Sequence, residues 1–322
     1  MPVGASFHLR GINNIDEELE TFEFDGVLTL SWRDARQAFD PQKLGLDEKI
    51  YQGDYQVNQL FDGWSPQVVL VNESGLFETH GLVLRVRPDG LLTLMQAVNA
   101  TAETNLDLRR YPFDRQRLDA LFEILGFDET EVVFETESPA FPASASLDPS
   151  VRMPQWEISQ VRATTSDRSA PYAGATGKAS TLVVSVEMKR EPLFMVRLVV
   201  LPLILMVMLS WSVFWMERSS VGDRISVSFI GILTAVAYQM VVSQIMPQIS
   251  YVTLINGILN LSFVLMCSTV VINLVVGAYD KAGKIAMGDL IDRRCRLIFP
   301  LTYFGAILLM VTYAFLFLPE TR

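Results

Sequence analysis

Half of the 322 residues are apolar, and the formal net charge is −10. The charge is unevenly shared: residues 1–192 carry 17 Lys/Arg against 30 Asp/Glu, net −13, whereas residues 193–322 carry 9 against 6, net +3. An acidic, water-soluble region therefore precedes a membrane region; the acidic half argues against nucleic acid as a partner and would raise the local cation concentration. Cys267 and Cys295, both in or beside apolar segments, are the only cysteines, so the soluble half has no disulfide and stands on its own core. The opening MPVGASFHLR lacks the basic start and apolar run of a signal peptide; if this half is exported, the sequence reads as a mature chain with an added Met.

Residues 5–192 read as strands. Phe22, Phe24, Gly26, Leu28, Leu30 and Trp32 alternate with polar or small residues, the pattern of a half-buried strand. Gly81–Val86 and Leu91–Val98 flank Arg87–Gly90 as a hairpin. Leu118–Leu125, Glu131–Glu135, Trp156–Thr164 and Thr181–Lys189 continue the series. Many short strands with turn signals between them predict a β-sandwich of immunoglobulin-like type over residues 1–192. Gln42–Gln59 reads as loop or short helix, Ser138–Pro154 with its prolines as loop, and Ser166–Lys178 as a flexible hairpin tip.

Four apolar spans follow, about Leu193–Trp215, Ile225–Met246, Val252–Ala278 and Leu297–Leu318, giving a four-helix membrane domain over residues 193–322. Pro202 falls inside the first span, where a membrane helix tolerates a kink. A short loop of about residues 279–293 joins the last two. Lys281, Lys284, Arg293, Arg294 and Arg296 lie in or beside it and place it in the cytoplasm by the positive-inside rule. Four spans then put both termini, and the sandwich, outside an inner cell membrane that the chain crosses several times.

The second span carries the most information. Its 22 residues from Ile225 to Met246 include no charge, and at ~1.5 Å per residue they cross about one bilayer core. Yet Ser226, Ser228, Thr234, Tyr238, Gln239, Ser243 and Gln244 punctuate it. The stripe Ser226, Ile230, Leu233, Ala237, Met240, Gln244 is polar at both ends and apolar in the middle, as a water-lined pore with a dewetting constriction would be. A buried bundle helix using polar residues as interhelical glue fits equally well. Asp223 opens the span; a ring of such carboxylates would concentrate cations, and an acidic residue at a helix N-terminus is also favoured by the dipole. Arg224 points about 100° away from it and can pair with a neighbouring element.

Catalytic chemistry is missing. His8 and His80 lie far apart, without Cys or carboxylate at metal-ligand spacing, and no nucleophile-elbow, phosphate-loop or zinc-protease motif occurs. No metal, no cofactor and no enzyme activity is expected.

The segment Thr104–Leu118, TNLDLRRYPFDRQRL, resembles the signature loop of the pentameric ligand-gated ion channels, the Cys-loop receptor family. Asp107, Tyr111, Pro112, Asp114 and Gln116 match its pattern. The two cysteine positions are Thr104 and Leu118, a departure that marks the prokaryotic branch. The resemblance continues through Trp64 and Pro66, Arg190, Pro202, SWSVFW at 210–215, LTAVAY at 233–238 and RCRLIFPL at 294–301. It implies a homopentamer in the lipid bilayer with a pore lined by Asp223, Ser226, Ile230, Leu233, Ala237, Met240 and Gln244. Leu233, with Ile230 and Met240, would form the gate, and Asp223 would select permeant monovalent cations, since anion-selective members carry Pro-Ala at that level. Ile230 departs from the hydroxyl residue often found there. Coupling between domains is implied for Asp16, Glu17, Tyr111, Pro112, Phe113, Asp114, Arg190 and Pro247, with Arg190 paired to Asp114 or to one of Asp16–Glu18. The agonist loops are poor in rings. Trp64, Phe127 and Tyr172 are the aromatic candidates, and the stimulus is expected to be a small-molecule agonist or protons. The rival readings are a non-conducting sensor of the same architecture, a monomeric transporter, and a membrane-anchored hydrolase.

Overall fold

The computed structural model describes residues 1–135, 137–138, 141–142, 145–149, 151, 153–170, 173, 176–216 and 221–318. Two units emerge. The first comprises Met1–Leu106 with Arg115–Lys189; the second comprises Asp107–Asp114 with the residues from Arg190 onward. The Asp107–Asp114 loop thus groups with the helices, although strands flank it in sequence.

The first unit holds strands β1 (Pro2–Asp16), β2 (Thr21–Arg33), β3 (Lys49–Gln52), β4 (Val68–Leu70), β5 (Glu73–Val86), β6 (Leu91–Glu103), β7 (Arg115–Ile124), β8 (Val133–Glu135), β9 (Glu137–Ser138), β10 (Phe141–Pro142), β11 (Ala145–Leu147), β12 (Trp156–Ser169) and β13 (Lys178–Arg190). One sheet runs β11-β1-β2-β6-β5-β3, with β8 also on β1; the other runs β12-β13-β7-β4, and β9 pairs with β10. The predicted alternation in β2 is met: Phe22, Phe24, Leu28, Leu30 and Trp32 are buried. Phe122 of the second sheet stacks on Phe7 of the first at 5.6 Å, so aromatic rings close the sandwich. Gly26 completes that face because a Cβ there would sit 2.4 Å from the Phe7 ring. The hairpin at 87–90 is closed by the Arg87 N–H donating to the Leu91 carbonyl at 2.9 Å, with Gly90 at φ +78°.

Gln42–Gln59 holds the expected short helices, over Pro41–Leu44 and from Gly53 to Leu60, and in addition β3. Within Ser138–Pro154, read as loop, β10 and β11 form, and β11 pairs in parallel with β1 through Phe7 and Ala145. Proline is tolerated in strands that lie at an edge, and Pro142 is in the two-stranded β9–β10 pair.

The helices of the second unit are α1 (Leu193–Trp215), α2 (Val221–Ser243), α3 (Leu254–Lys281) and α4 (Ile285–Phe317). All four are long and apolar enough to cross a membrane. Pro202 lies within α1 and Pro300 inside α4, and neither ends its helix. The core joins Val207, Trp211 and Phe214 of α1 to Ala235, Met266, Cys295, Phe299 and Tyr303, with Trp211 edge-on to Tyr303 at 5.6 Å. The expected loop over residues 279–293 is corrected: α3 runs on to Lys281 and α4 begins at Ile285, leaving a turn of three residues. The cause lies in a stripe hidden by the surrounding charges. Gly288, Asp292, Cys295, Phe299 and Tyr303 are all buried, so the helical period continues through a segment whose hydropathy is too low to read as a span.

Candidate functional site: pore helix and coupling cluster

The two faces of α2 differ sharply. Arg224, Ser228, Ala235 and Val242 are buried against the other helices, and Gly231 lies against Met266 and Ser210. Asp223, Ser226, Ile230, Leu233, Ala237 and Met240 are all exposed on the single chain. The exposure is large even for the apolar members: 62% at Ile230, 67% at Leu233 and 66% at Met240. Gln244, also exposed, lies one residue past the helix, its N–H donating to the Val241 carbonyl at 3.2 Å. The predicted span over residues 225–246 is thereby shifted to 221–243, and Asp223 sits in the first helical turn.

The polar residues of α2 divide in the same way. On the buried face they are glue. Asn273 Nδ2 donates to Ser228 Oγ at 2.9 Å, Ser228 Oγ donates to the Arg224 carbonyl at 3.0 Å, and the Tyr238 hydroxyl reaches the Leu198 and Val199 carbonyls at 2.9 and 2.8 Å. On the exposed face Ser226 and Thr234 return their hydroxyls to the helix's own carbonyls, at Gly222 and Ile230. The expected interhelical glue is thus present on the buried side, and the stripe expected to line a pore is on the exposed side.

Arg224 pairs as anticipated, and its partner is Asp292 of α4: Nη2 donates to Oδ1 at 2.8 Å and Nη1 to Oδ2 at 3.1 Å. Both side chains are buried. A residue taken as cytoplasmic loop thus holds the one cation in the first turn of α2. The signal that could have found it is the Gly288–Asp292–Cys295–Phe299 periodicity.

Arg190 and the signature loop form a second buried cluster. Arg190 Nε donates to Asp114 Oδ1 at 2.9 Å and Nη2 to Oδ2 at 3.3 Å. The Arg190 N–H donates to the Asp114 carbonyl at 3.1 Å, and the guanidinium lies 4.6 Å from the Tyr111 ring centre. Of the two partners anticipated for Arg190, Asp114 is present. The Tyr111–Pro112 peptide is cis. Phe113 packs on Phe315 of α4 at 6.0 Å, and Arg110 donates to the Leu318 carbonyl. The segment between α2 and α3 also meets the loop: the Leu108 N–H donates to the Tyr251 hydroxyl at 2.9 Å and the Leu254 N–H to the Arg109 carbonyl at 3.0 Å. Pro247 is half-buried in that segment. Burial pushes Asp107 upward, but hydrogen bonds from the Arg109 side chain and backbone outweigh it and hold the carboxyl below its usual range.

In the first unit, Asp16 ends β1 and accepts the N–H groups of Glu18 and Leu19 at 3.0 and 2.9 Å, while Glu17 lies in the turn that follows. Trp64 and Phe127 are brought together, edge-on at 5.6 Å, and Trp64 also meets the buried Trp32 at 5.6 Å. Tyr172 lies outside the described residues. Beside Phe127, Asp128 is held below the usual carboxylate range, first by the Thr130 hydroxyl and then by backbone N–H groups that outweigh its burial. The histidines behave as ordinary surface groups: His8 meets Ser146 at 2.7 Å and His80 meets Glu78 at 3.3 Å. Among the described residues no group of three His, Cys, Asp or Glu is placed to hold a metal.

A β-sandwich followed by four helices long and apolar enough to cross a membrane defines a membrane protein with a separate globular domain. The chain belongs to the neurotransmitter-gated ion-channel family: residues 1–192 match the model of its ligand binding domain and residues 199–284 that of its transmembrane region. It is 25% identical to a proton-gated ion channel of Gloeobacter violaceus over 98% of this chain and 83% of that one. It is 26% identical to the human gamma-aminobutyric acid receptor subunit rho-3 over 89% of this chain and 62% of that one, and 27% identical to human rho-2 over 82% and 55%. It therefore spans less than two thirds of the rho subunits' length. Proteins of this family are channels rather than enzymes, and this one is a multi-pass membrane protein with an extracellular N-terminal domain.

Proposed function

We propose that five copies of this chain assemble into a cation-conducting channel whose pore is lined by Asp223, Ser226, Ile230, Leu233, Ala237, Met240 and Gln244. The observation that carries the reading is the two-faced α2. Ile230, Leu233 and Met240, each more than half exposed, share their side of the helix with Asp223, Ser226 and Gln244, polar groups that lipid chains suit poorly, so that side fits further subunits and a water column better than lipid. Ring closure around a central axis supplies both, because one helix cannot enclose water and a heterologous interface repeated around a ring closes. Leu233, flanked by Ile230 and Met240, then forms the dewetting gate, and Asp223 supplies the cation-attracting ring. Flow is passive. The cluster of Tyr111–Asp114 and Arg190, with Pro247 in the segment that meets the loop, transmits the stimulus. Similarity to a proton-gated relative makes protons the first stimulus to apply; a small-molecule agonist would meet the Trp64–Phe127 rings.

Bilayer recording of the purified protein, with external pH stepped from about 5 to 10 and small amines and carboxylates then added, tests the reading. The expected result is a current reversing near the cation equilibrium potential, with Leu233→Ala opening more readily and Asp223→Asn losing cation preference. An anion reversal potential, or the same selectivity in Asp223→Asn, overturns the selectivity assignment. A right-shifted or unchanged response in Leu233→Ala overturns the gate.

A further inference from the structure

Read as sequence, the first turn of α2 is neutral at its charged step: Asp223 and Arg224 are adjacent and cancel. The structure separates them. On a helix the two side chains diverge by about 100°, and here Asp223 is exposed while Arg224 is 1% exposed. The guanidinium is turned into the bundle and met by a carboxylate on another helix, Asp292 of α4, through two hydrogen bonds of 2.8 and 3.1 Å. Asp292 itself is 5% exposed, and α4 contributes no residue to the pore-lining stripe.

We propose that Asp292 is a determinant of which ions permeate. It acts as a positioning residue: by neutralising and retaining Arg224, it leaves Asp223 as the net charge at the pore mouth. Without it, the arginine is an unpaired cation in a low-dielectric bundle, an unfavourable state that it escapes by extending its long side chain toward water. With the pore proposed above, the exposed face of α2 that carries Asp223 offers that water. The mouth would then read neutral in each subunit. A unit charge roughly 7 Å away in water changes an ion's local population about threefold, so the release is large enough to measure.

The inference rests on the proposed pore, and the experiment separates the two. Reversal potentials are measured under a NaCl gradient for the wild type, Asp223→Asn, Asp292→Asn and the double variant Asp292→Asn/Arg224→Gln. The wild type is expected to favour Na⁺, and Asp223→Asn to lose that preference; failure at this step overturns the pore reading itself. Asp292→Asn is expected to lower the Na⁺/Cl⁻ permeability ratio by about sevenfold, since the released charge lowers Na⁺ and raises Cl⁻ together, and the double variant to restore it, because no cation remains to be released. A wild-type reversal potential in Asp292→Asn, or a shift that persists in the double variant, overturns the inference and leaves Asp292 a structural pair only. If Asp292→Asn alone does not reach the membrane, co-assembly with wild-type subunits dilutes the variant within each channel. The same shift, graded with the ratio of the two, is then expected, and mixed channels without it overturn the proposal.

Discussion

Among the described residues, the second unit contains two buried arginine–aspartate pairs of similar geometry and different standing. Arg190–Asp114 joins the end of β13 to a loop without regular structure; Arg224–Asp292 joins two long helices. The loop pair is held several times over, by two side-chain hydrogen bonds, a backbone bond between the same residues and the Tyr111 ring. The helix pair bridges α2 and α4, which are aligned through the shared apolar core: Gly231 of α2 lies against Met266 of α3, while Phe299 and Tyr303 of α4 pack on Phe214 and Trp211 of α1. A buried ion pair is weak evidence of stability in itself, since desolvation offsets much of the attraction. What it contributes depends on what else fixes its surroundings. The loop pair anchors a backbone without regular secondary structure, one of several ties that hold it; the helix pair confines a charge.

That contrast can be broken experimentally, beginning where the effect is largest. Arg190→Ala or Asp114→Ala strands a buried charge and is expected to cost about 3–5 kcal/mol, read as a lowered melting temperature and loss of assembled protein. Arg190→Lys should recover only part, because an ammonium cannot reproduce the fork or lie flat on a ring. Next, replacing both partners with apolar residues should separate the pairs. Arg224→Met with Asp292→Leu is expected to leave thermal stability within about 1 kcal/mol, whereas Arg190→Met with Asp114→Leu should remain clearly destabilised. Equal losses in the two double variants would erase the distinction drawn here. Tyr111→Leu then isolates the ring's share of the loop cluster, expected at about 1–2 kcal/mol for a desolvated cation–π contact; no change would mean that the carboxylate alone holds the arginine.

The smallest effect belongs to the more exposed neighbour, Asp107–Arg109, which sets a lower bound on what such pairs contribute in this loop. Asp107 is depressed in the folded protein. Its contribution is therefore fully present above the ordinary carboxylate pKa of about 3.9 and is lost as pH falls through the lower folded value. Asp107→Asn should cost no more than about 1 kcal/mol at neutral pH and should flatten the acid limb of the melting curve. A steeper acid limb in the variant would contradict the assignment.

The strong alternation of β2, the 87–90 hairpin and the four apolar spans were readable because each pattern is local and extends over many residues. The exposed stripe of α2 was readable for the same reason, and its opposite face supplied the glue that composition alone could not assign to a side. Strand β11 was hidden because its pairing partner is Phe7, more than a hundred residues away, and the surrounding prolines signal loop. Asp292 was hidden because hydropathy averages over a window, and Arg293, Arg294 and Arg296 lower that average through a stretch that is helical. The aromatic candidates show a further limit. Sequence placed Trp64 and Phe127 in different segments, and only the fold brings them to 5.6 Å, where each is a packing partner of the other.

The tight connection between α3 and α4 bears on conduction. Ala282, Gly283 and Lys284 are all that separates the two helices, with Gly283 at φ +71° and the Lys284 N–H donating to the Tyr279 carbonyl at 2.9 Å. A reversal this short builds no cytosolic antechamber. On the proposed path, an ion that passes the Asp223 ring meets bulk electrolyte rather than lateral portals framed by protein. Series resistance on that side then belongs to the solution, and unitary current should follow cytosolic salt concentration without the filtering that a charged vestibule would impose.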